Sequence, residues 1–557
     1  MLSQSEEQLA PLAAVVHKKT SGNPFFVSQF VASLHAERLL TFDEPSGRWQ
    51  WDLGAIQDRM VTDNVVFFLT AKLKQLPAET QRVLHLAAAI GHRFDCKTLA
   101  TVLEKSLAET GALLWPALEG GFLWPLHGDY QFLYPGEAGA TENLAETGAQ
   151  VAFKFLHDRV QQAAYALGPQ DQRAQLHLRI GRLMLASRLP PGPSDQLLDI
   201  TKHLNLGVQL MTVESERLEL AQLNLQAGRR AKASSAPEAA AAYFGAGLAT
   251  LAPPDWEHHP DLWFSLASEY AECESLNGRF AQVDTTLGEL LSRSRTSVEY
   301  AQACSLRMLA CGMQGQHGEA MAYGYRALQR LGITLPEDPQ EVAAAFAAEL
   351  AASEKYLGQR RIADLVSEEV VSDPAINLAL KLLNLMATAA YLVAPQSYGL
   401  IILKQVNVSL QHGNSNTSAY GFVSYGLILI SFLGQYEKGR AFGQLALALN
   451  DKFNNVLLTG QIHAVYAMSL HFSAPLRQSI DSYGRAYRAG LEVGDFIWLS
   501  YSCFSIILLR LNLGDDLQEV AAEVSWFLKM ANRTKDATAA PQLLLCRQVI
   551  ECLQGRT

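Results

Sequence analysis

The chain has 557 residues, too many for one hydrophobic core, and with 49% hydrophobic and 18% charged residues it has apolar surface enough for several folded units. A formal net charge of -10 excludes the basic surface that general nucleic-acid or anionic-membrane binding requires, which leaves protein partners as the expectation. Seven cysteines, odd in number and without a C-x-x-C pair, exclude a disulfide framework and imply a reducing, cytoplasmic setting.

Taken in chain order, residues 1–10 carry Glu6 and Glu7 and no basic segment, so no signal peptide is expected. Asn23-Pro24 has the form of a helix start, with Asn as N-cap and Pro at the first helical position. Phe26, Phe30, Val31 and Leu34 then recur at helical spacing up to about Arg38. Residues 39–43 and 48–52 flank Pro45-Ser46-Gly47, and Trp49 and Trp51 alternate with Gln50, so a short β-hairpin should follow.

From Thr80 the apolar positions Val83, Leu84, Ala87 and Ala88 predict a helix capped by Gly91, followed by helices over 97–104 and 107–118. Residues 122–124 and 151–155 are apolar enough to pair as strands, with a Gly/Glu/Thr-rich loop over about 135–149. Three helices and a strand pair have the spacing of a winged helix. Its third helix, within residues 106–120, carries no basic residue, which argues against DNA reading. Asp158-Arg159-Val160-Gln161 has capping-box form, so Asp158 is expected to cap the helix bearing Val160, Ala163 and Ala164.

Beyond about residue 215 the pattern is continuously helical. Turn signals at Pro237, Gly278, Gly315, Gly358, Pro395, Gly434, Pro475 and Gly514 recur at intervals of about 40 residues. After Gly278, Gly315 and Gly434, the residues two and five places on are Phe280/Val283, His317/Ala320 and Tyr436/Gly439. Such a period predicts a TPR-like solenoid in which each helical pair buries its face against its neighbours. The apolar run 422–433 is short and holds Ser424, Gly426 and Ser431, which fits a buried helix and not a membrane span. Cys304 and Cys311, seven apart, share a helix face and read as small buried hydrophobes.

Catalytic motifs are missing from the sequence. No G-x-x-x-x-G-K-[ST] loop, H-R-D or D-F-G string, His-Glu phosphoacceptor box or metal-ligand spacing around His157, His177, His203, His258 or His259 is present.

The strings Gly22-Asn23-Pro24-Phe25-Phe26-Val27, Trp49-Gln50-Trp51-Asp52-Leu53, Leu76-Pro77-Ala78-Glu79-Thr80-Gln81, Ile90-Gly91-His92-Arg93-Phe94-Asp95 and 155–165 (FLHDRVQQAAY) resemble the predicted AAA/STAND ATPase region of large bacterial multidomain proteins. In that family a serine/threonine kinase, an ATPase, a helical repeat region, a GAF domain and a sensor histidine kinase follow one another. The resemblance implies a mainly α chain: the end of an ATPase lid with a hairpin (1–75), a winged helix (76–170), a helical connector (171–235) and TPR-like repeats (236–557). It further implies that Gly22, Asn23 and Pro24 contact adenine and that His157 contacts the β-phosphate of ADP. ATP or ADP would bind only when a P-loop core is supplied, and the ATPase core and kinase domains would act in cis or on neighbouring chains. The chain therefore reads as a regulatory fragment without catalysis of its own. The alternatives are a free-standing TPR-like scaffold and a truncated maltose-regulator-type transcriptional activator, the latter lacking a basic helix-turn-helix in residues 543–557.

Overall fold

Helices dominate the computed structural model, which describes residues 6–20, 22, 24–58, 65–133, 151–186, 195–251, 255–534 and 539–556. The chain divides into two units, Met1–Trp263 and Phe264–Thr557.

The first unit opens with α1 (Glu6–Thr20) and α2 (Pro24–Ala36), the antiparallel hairpin β1 (Leu40–Asp43) and β2 (Arg48–Trp51), and α3 (Leu53–Asp58). Leu12, Val16, Phe30, Leu34, Leu40 and Ile56 form its core. The hairpin aromatics find their partner surface on α2: Trp49 meets His35 edge-on at 5.5 Å between ring centroids and Phe42 at 5.3 Å.

There follow α4 (Val65–Leu73), α5 (Ala78–Ile90), β3 (Arg93–Asp95), α6 (Cys96–Leu103), α7 (Leu107–Glu119), β4 (Leu123–Pro125), β5 (Ala152–Phe155) and α8 (Asp158–Tyr165). The strands make an antiparallel sheet in the order β3-β5-β4. Strand β3 was not expected. Gly91 caps α5 as expected, its N–H donating to Ala87 O, and does so with extended backbone, φ 165°, that leads into β3. The helix ends here are closed by side chains: Asp95 accepts from Thr98 N–H, and Ser106 with Glu109 completes a capping box. Phe94, Phe153, Phe155, Leu84, Leu99 and Leu114 fill the core beneath the sheet. The loop expected over 135–149 lies outside the described residues.

Helices α9 (Arg173–Ala186), α10 (Asp195–Gly207), α11 (Glu214–Ala233) and α12 (Pro237–Thr250) complete the regular part of this unit. Their core joins Leu178, Ile180, Ile200, Leu204 and Leu220 with Ala89 of α5 and Val102 of α6. The α9–α10 crossing is close because two glycines permit it. A Cβ at Gly181 would lie 2.6 Å from Leu204 Cδ2, and one at Gly207 would lie 2.6 Å from Leu178 Cβ.

The division between the units falls within α13 (Pro260–Leu276). The second unit continues with α14 (Phe280–Arg293), α15 (Ser297–Met313), α16 (His317–Arg330), α17 (Pro339–Leu357), α18 (Pro374–Val393), α19 (Pro395–His412), α20 (Ser418–Ser431), α21 (Tyr436–Phe453), α22 (Val456–Ser473), α23 (Leu476–Val493), α24 (Phe496–Leu513), α25 (Leu517–Thr534) and α26 (Ala539–Leu553). The packing is that of a helical solenoid: α15 packs on α16 and α18, α20 on α21 and α22, α22 on α23 and α24, and α24 on α25 and α26. The expected turn residues fall where the repeat reading puts them. Gly278, Gly315 and Gly434 have φ of 72°, 71° and 66°, and Phe280, His317 and Tyr436 begin the following helices. Val283, Ala320 and Gly439 are buried.

Gly358 departs from that scheme. It ends α17, an inserted helix that packs on α19 and interrupts the alternation of first and second helices. Glu349 fastens the insertion, accepting from Lys404 Nζ at 2.7 Å and from Asn407 Nδ2 at 2.7 Å. Residues 422–430 are buried apart from the half-buried Leu427, whereas Phe432 at the end of the run is 81% exposed. Two other helices, α18 and α24, are long and apolar enough to cross a membrane by length and composition, and both pack against their neighbours in the array. Cys304 and Cys311 are buried, and burial raises both thiols, Cys304 to about 11.

Candidate functional site

The first expected contact lies at the α1–α2 turn. Thr20 Oγ1 donates to Val16 O at 2.7 Å and finishes α1, after which Gly22 turns the chain with φ 71°. A side chain at Gly22 is opposed twice, by that left-handed backbone and by His17, whose Nε2 would lie 2.9 Å from an added Cβ. Pro24 begins α2 with its ring exposed, and Ser28 Oγ donates to its carbonyl at 3.0 Å. An exposed pyrrolidine beside a glycine turn offers a flat apolar platform to a ring-shaped ligand. Asn23, the expected N-cap and third member of the motif, lies outside the described residues.

The second contact lies at the β5–α8 junction. Phe155 N–H donates to His92 O at 3.0 Å and Leu156 N–H to Phe122 O at 3.0 Å, so the strand is held on both sides up to His157. His157 has extended backbone and is itself the N-cap of α8: Arg159 N–H donates to its Nδ1 at 3.1 Å. This corrects the capping-box reading of Asp158. That carboxylate is the first residue of the helix, mostly exposed, and lies 3.1 Å from His92 Nδ1. The physical reason is a shift of one residue in where the strand ends. Because β5 keeps its ladder through 155–156, the first residue free to turn with extended φ and ψ is His157, and only the Ncap side chain points back at the helix N–H groups.

The cap fixes the tautomer of His157. An Nδ1 that accepts a hydrogen bond carries no proton, so the neutral ring holds its proton on Nε2, which is the atom able to donate to a phosphate oxygen. The ring is half-buried at the positive end of α8, a position that favours an anion.

The structure does not bring the two contacts together. Helix α2 packs on α1 and β1, whereas α8 packs on α4, α5 and β5. A cavity of about 430 Å³ lies elsewhere, lined by Arg182, Leu204, Glu216 and Leu220 between α9, α10 and α11. Its cation is already engaged, Arg182 Nε and Nη2 reaching Glu216 at 2.6 and 2.8 Å, and Glu219 adds a second carboxylate to the lining, which is no setting for a phosphate. Among the described residues no group of three or more His, Cys, Asp or Glu could hold a metal ion.

Sequence reasoning missed two features. Arg93 and Lys154 stand directly opposite each other on β3 and β5, with Trp124, 57% exposed, opposite Lys154 on β4. Like charges in register weaken a sheet, but β3 was not foreseen and the row was invisible without it. The second is a cluster of the buried His177 and His203 with the half-buried His85 and Tyr165. Its spacing of 12 to 118 residues along the chain gives no local signal.

No family model matches the chain. Hybrid signal transduction histidine kinase G of Dictyostelium discoideum is 26% identical over 587 aligned positions that take in 93% of this chain and 17% of the kinase. The chain thus spans about a sixth of that relative. Among solved structures, a Signal Transduction ATPase with Numerous Domains (STAND) protein with a tetratricopeptide repeat sensor, from Pyrococcus horikoshii, superposes with a TM-score of 0.41 and 13% identity, over 98% of this chain and 70% of that one.

Proposed function

We propose that the chain is the regulatory and docking part of a signalling protein whose catalytic domains are supplied elsewhere. In this reading the region 76–170 is a winged helix, residues 1–75 end an ATPase lid, and both respond to a nucleotide held by a separate P-loop core. The helical array from about residue 236 carries protein partners. The similarity to a signal transduction histidine kinase along nearly the whole chain supports a role in signalling.

The observation that carries the nucleotide reading is the hydrogen bond from Arg159 N–H to His157 Nδ1. Capping α8 through Nδ1 presents Nε2–H as a donor at a helix N-terminus, the arrangement a phosphate oxygen needs. Pro24 would supply an apolar face to the adenine, and Gly22 would let the ring approach the backbone. ATP or ADP fits these residues only as edge contacts. They sit on elements that share no packing partner, and the chain has no glycine-rich nest for the phosphates. The bound nucleotide would supply the charge that distinguishes a closed from an open state; the chain's own part is to hold His157 and Pro24 where that charge is read.

Calorimetry tests the reading in two arms. The isolated chain should hydrolyse no ATP and bind ADP no tighter than about 0.1 mM, since it offers one charge-assisted donor and one apolar face. Joined to a P-loop core, it should retain ADP, and His157→Ala should weaken that retention about tenfold, the worth of a single charge-assisted bond. Sub-micromolar ADP binding by the isolated chain refutes the proposal. Unchanged ADP retention in the His157→Ala protein would leave His157 a helix cap and favour the scaffold reading of the array.

A further inference from the structure

Tyr165 closes the two-turn helix α8, and a line of hydrogen bonds runs from it into the next domain. Tyr165 Oη lies 2.8 Å from His177 Nε2 on α9, and His177 Nδ1 lies 2.9 Å from His203 Nδ1 on α10. The other nitrogen of His203 is bonded to the backbone of Ile90 at the end of α5. The line therefore starts on α8, crosses α9 and α10, and returns to α5, joining the sheet-bearing region to the connector helices at both ends.

One arrangement of protons satisfies the whole line. His203 Nε2–H donates to the Ile90 carbonyl, which leaves its Nδ1 as acceptor. His177 Nδ1–H fills that acceptor, which leaves His177 Nε2 to accept from the Tyr165 hydroxyl. Every donor meets one acceptor, and both imidazoles are neutral. One added proton is relayed without a clash, because His177 can accept from His203 at Nδ1 while its Nε2–H donates to the Tyr165 hydroxyl oxygen; a second proton sets two N–H groups against each other at 2.9 Å.

The surroundings oppose that extra proton. The charges acting on these rings are those of Lys202 on α10, Arg173 at the start of α9 and His85 on α5, all positive when ionised. Arg173 also stacks on the Tyr165 ring at 4.4 Å, and His85 stacks on the same ring at 5.9 Å. Between α10 and α11 the neutral side chains of Asn205 and Asn224 hydrogen-bond each other, and the ion pairs Arg179–Glu104 and Arg182–Glu216 are exposed or half-exposed. Burial and these cations hold both imidazoles below their ordinary range, His203 at about 4. The His177 and His203 rings stack at 5.1 Å, and the glycine at 168 lets the loop after α8 close on His85, where an added Cβ would sit 2.2 Å from Nε2.

We propose that Tyr165, His177 and His203 form a latch that holds α5 and α8 to α9 and α10 until both imidazoles are charged, so that acidification frees the connector helices from the sheet-bearing region. The latch stands independently of any nucleotide. Since α8 carries His157 at its first turn and Tyr165 at its last, about 12 Å apart, opening the latch would also loosen the helix that His157 caps.

Amide hydrogen exchange on the full chain, corrected for the intrinsic effect of pH, reads the latch. Residues 173–186 and 195–207 are expected to be protected at pH 7.5 and to lose protection as pH falls from about 6.5 towards about 4, because the opened state binds more protons in that window than the latched state. His203→Gln keeps an acceptor for His177 and a donor for Ile90 at every pH, so its protection should persist in acid; loss at the same pH as the native chain overturns the proposal. Tyr165→Phe removes one donor and should speed exchange in the same helices about fivefold to tenfold at pH 7.5. Unchanged exchange in that variant overturns the proposal too, and it decides the matter if His203→Gln does not fold.

Discussion

The region from Ala78 to Tyr165 and the array from Ser297 to Leu513 are both helical, yet they hold their helices in different ways. In the first, helix starts are fixed by side chains: Asp95 on Thr98, Ser106 with Glu109, and His157 on Arg159. In the array some starts carry caps of the same kind, from Thr296, Asp338, Asp373 and Asp495, but several helices also close on left-handed residues, Asn454, Gly494 and Gly514, and the apolar faces are matched between neighbouring pairs. A short helix of eight to thirteen residues is marginal by itself and gains from a cap, whereas an eighteen-residue helix gains more from tertiary packing. The difference predicts where a substitution is felt. Damage to a cap should stay within one helix; damage to a helix crossing should pass to the adjoining repeats.

The largest effect is expected at the α20–α21 crossing. Gly426 and Gly439 meet backbone to backbone, and a Cβ at Gly426 would lie 2.6 Å from Gly439 O. Gly426→Val should destabilise by about 3 kcal/mol or more, read as a lower melting temperature together with faster exchange in α20, α21 and α22. An exchange change confined to α20 would break the proposed contrast.

Acid should come next. His463, inside the array on α22, is half-buried with Nδ1 3.3 Å from Ser482 Oγ, and desolvation with Arg485 nearby pushes it down to about 4, Asp451 opposing the shift. A base with a lowered folded-state pKa leaves stability intact above about 6.5 and removes it as pH falls towards about 4, by about 3 kcal/mol at most. His463→Gln should flatten that loss in urea melts of the chain followed between pH 7 and 4.5; an identical pH slope in the variant would refute it.

Ser106→Ala should have the smallest effect, about 1 kcal/mol, because it removes one half of an exposed capping box. Exchange should rise in residues 106–119 and stay unchanged in β4 and β5. A response reaching the sheet would show that this region, too, is coupled beyond its caps.

Much of the fold was legible because the informative signals are local. Pro24 at a helix start, the Trp49-Gln50-Trp51 alternation and the glycines at 278, 315 and 434 each name a backbone state within a few residues. The insertion α17 escaped notice because its own signals, Pro339 at the start and Gly358 at the end, look like those of a repeat helix; only packing on α19 sets it apart. Strand β3 escaped because three residues, Arg93 to Asp95, carry too little alternation to register. Its partner β5 makes it a strand.

The candidate site divides along the same line. Sequence alone singled out His157 and the Gly22–Pro24 turn, since the residue types and their neighbours are contiguous. It placed the cap of α8 one residue late, because the length of the β5 ladder decides which side chain faces the helix N–H groups. The joining of Tyr165 to His177 and His203 was set by tertiary structure alone: hydrogen bonds between side chains on three helices depend on the α9–α10 crossing that Gly181 and Gly207 allow, and no local pattern encodes that distance. What the sequence by itself determined is therefore the helical class, the repeat period and the turn positions, all governed by short-range sterics and hydrophobic spacing. What only the folded chain decided is which polar groups are buried together, because that follows from the approach of elements far apart along the chain.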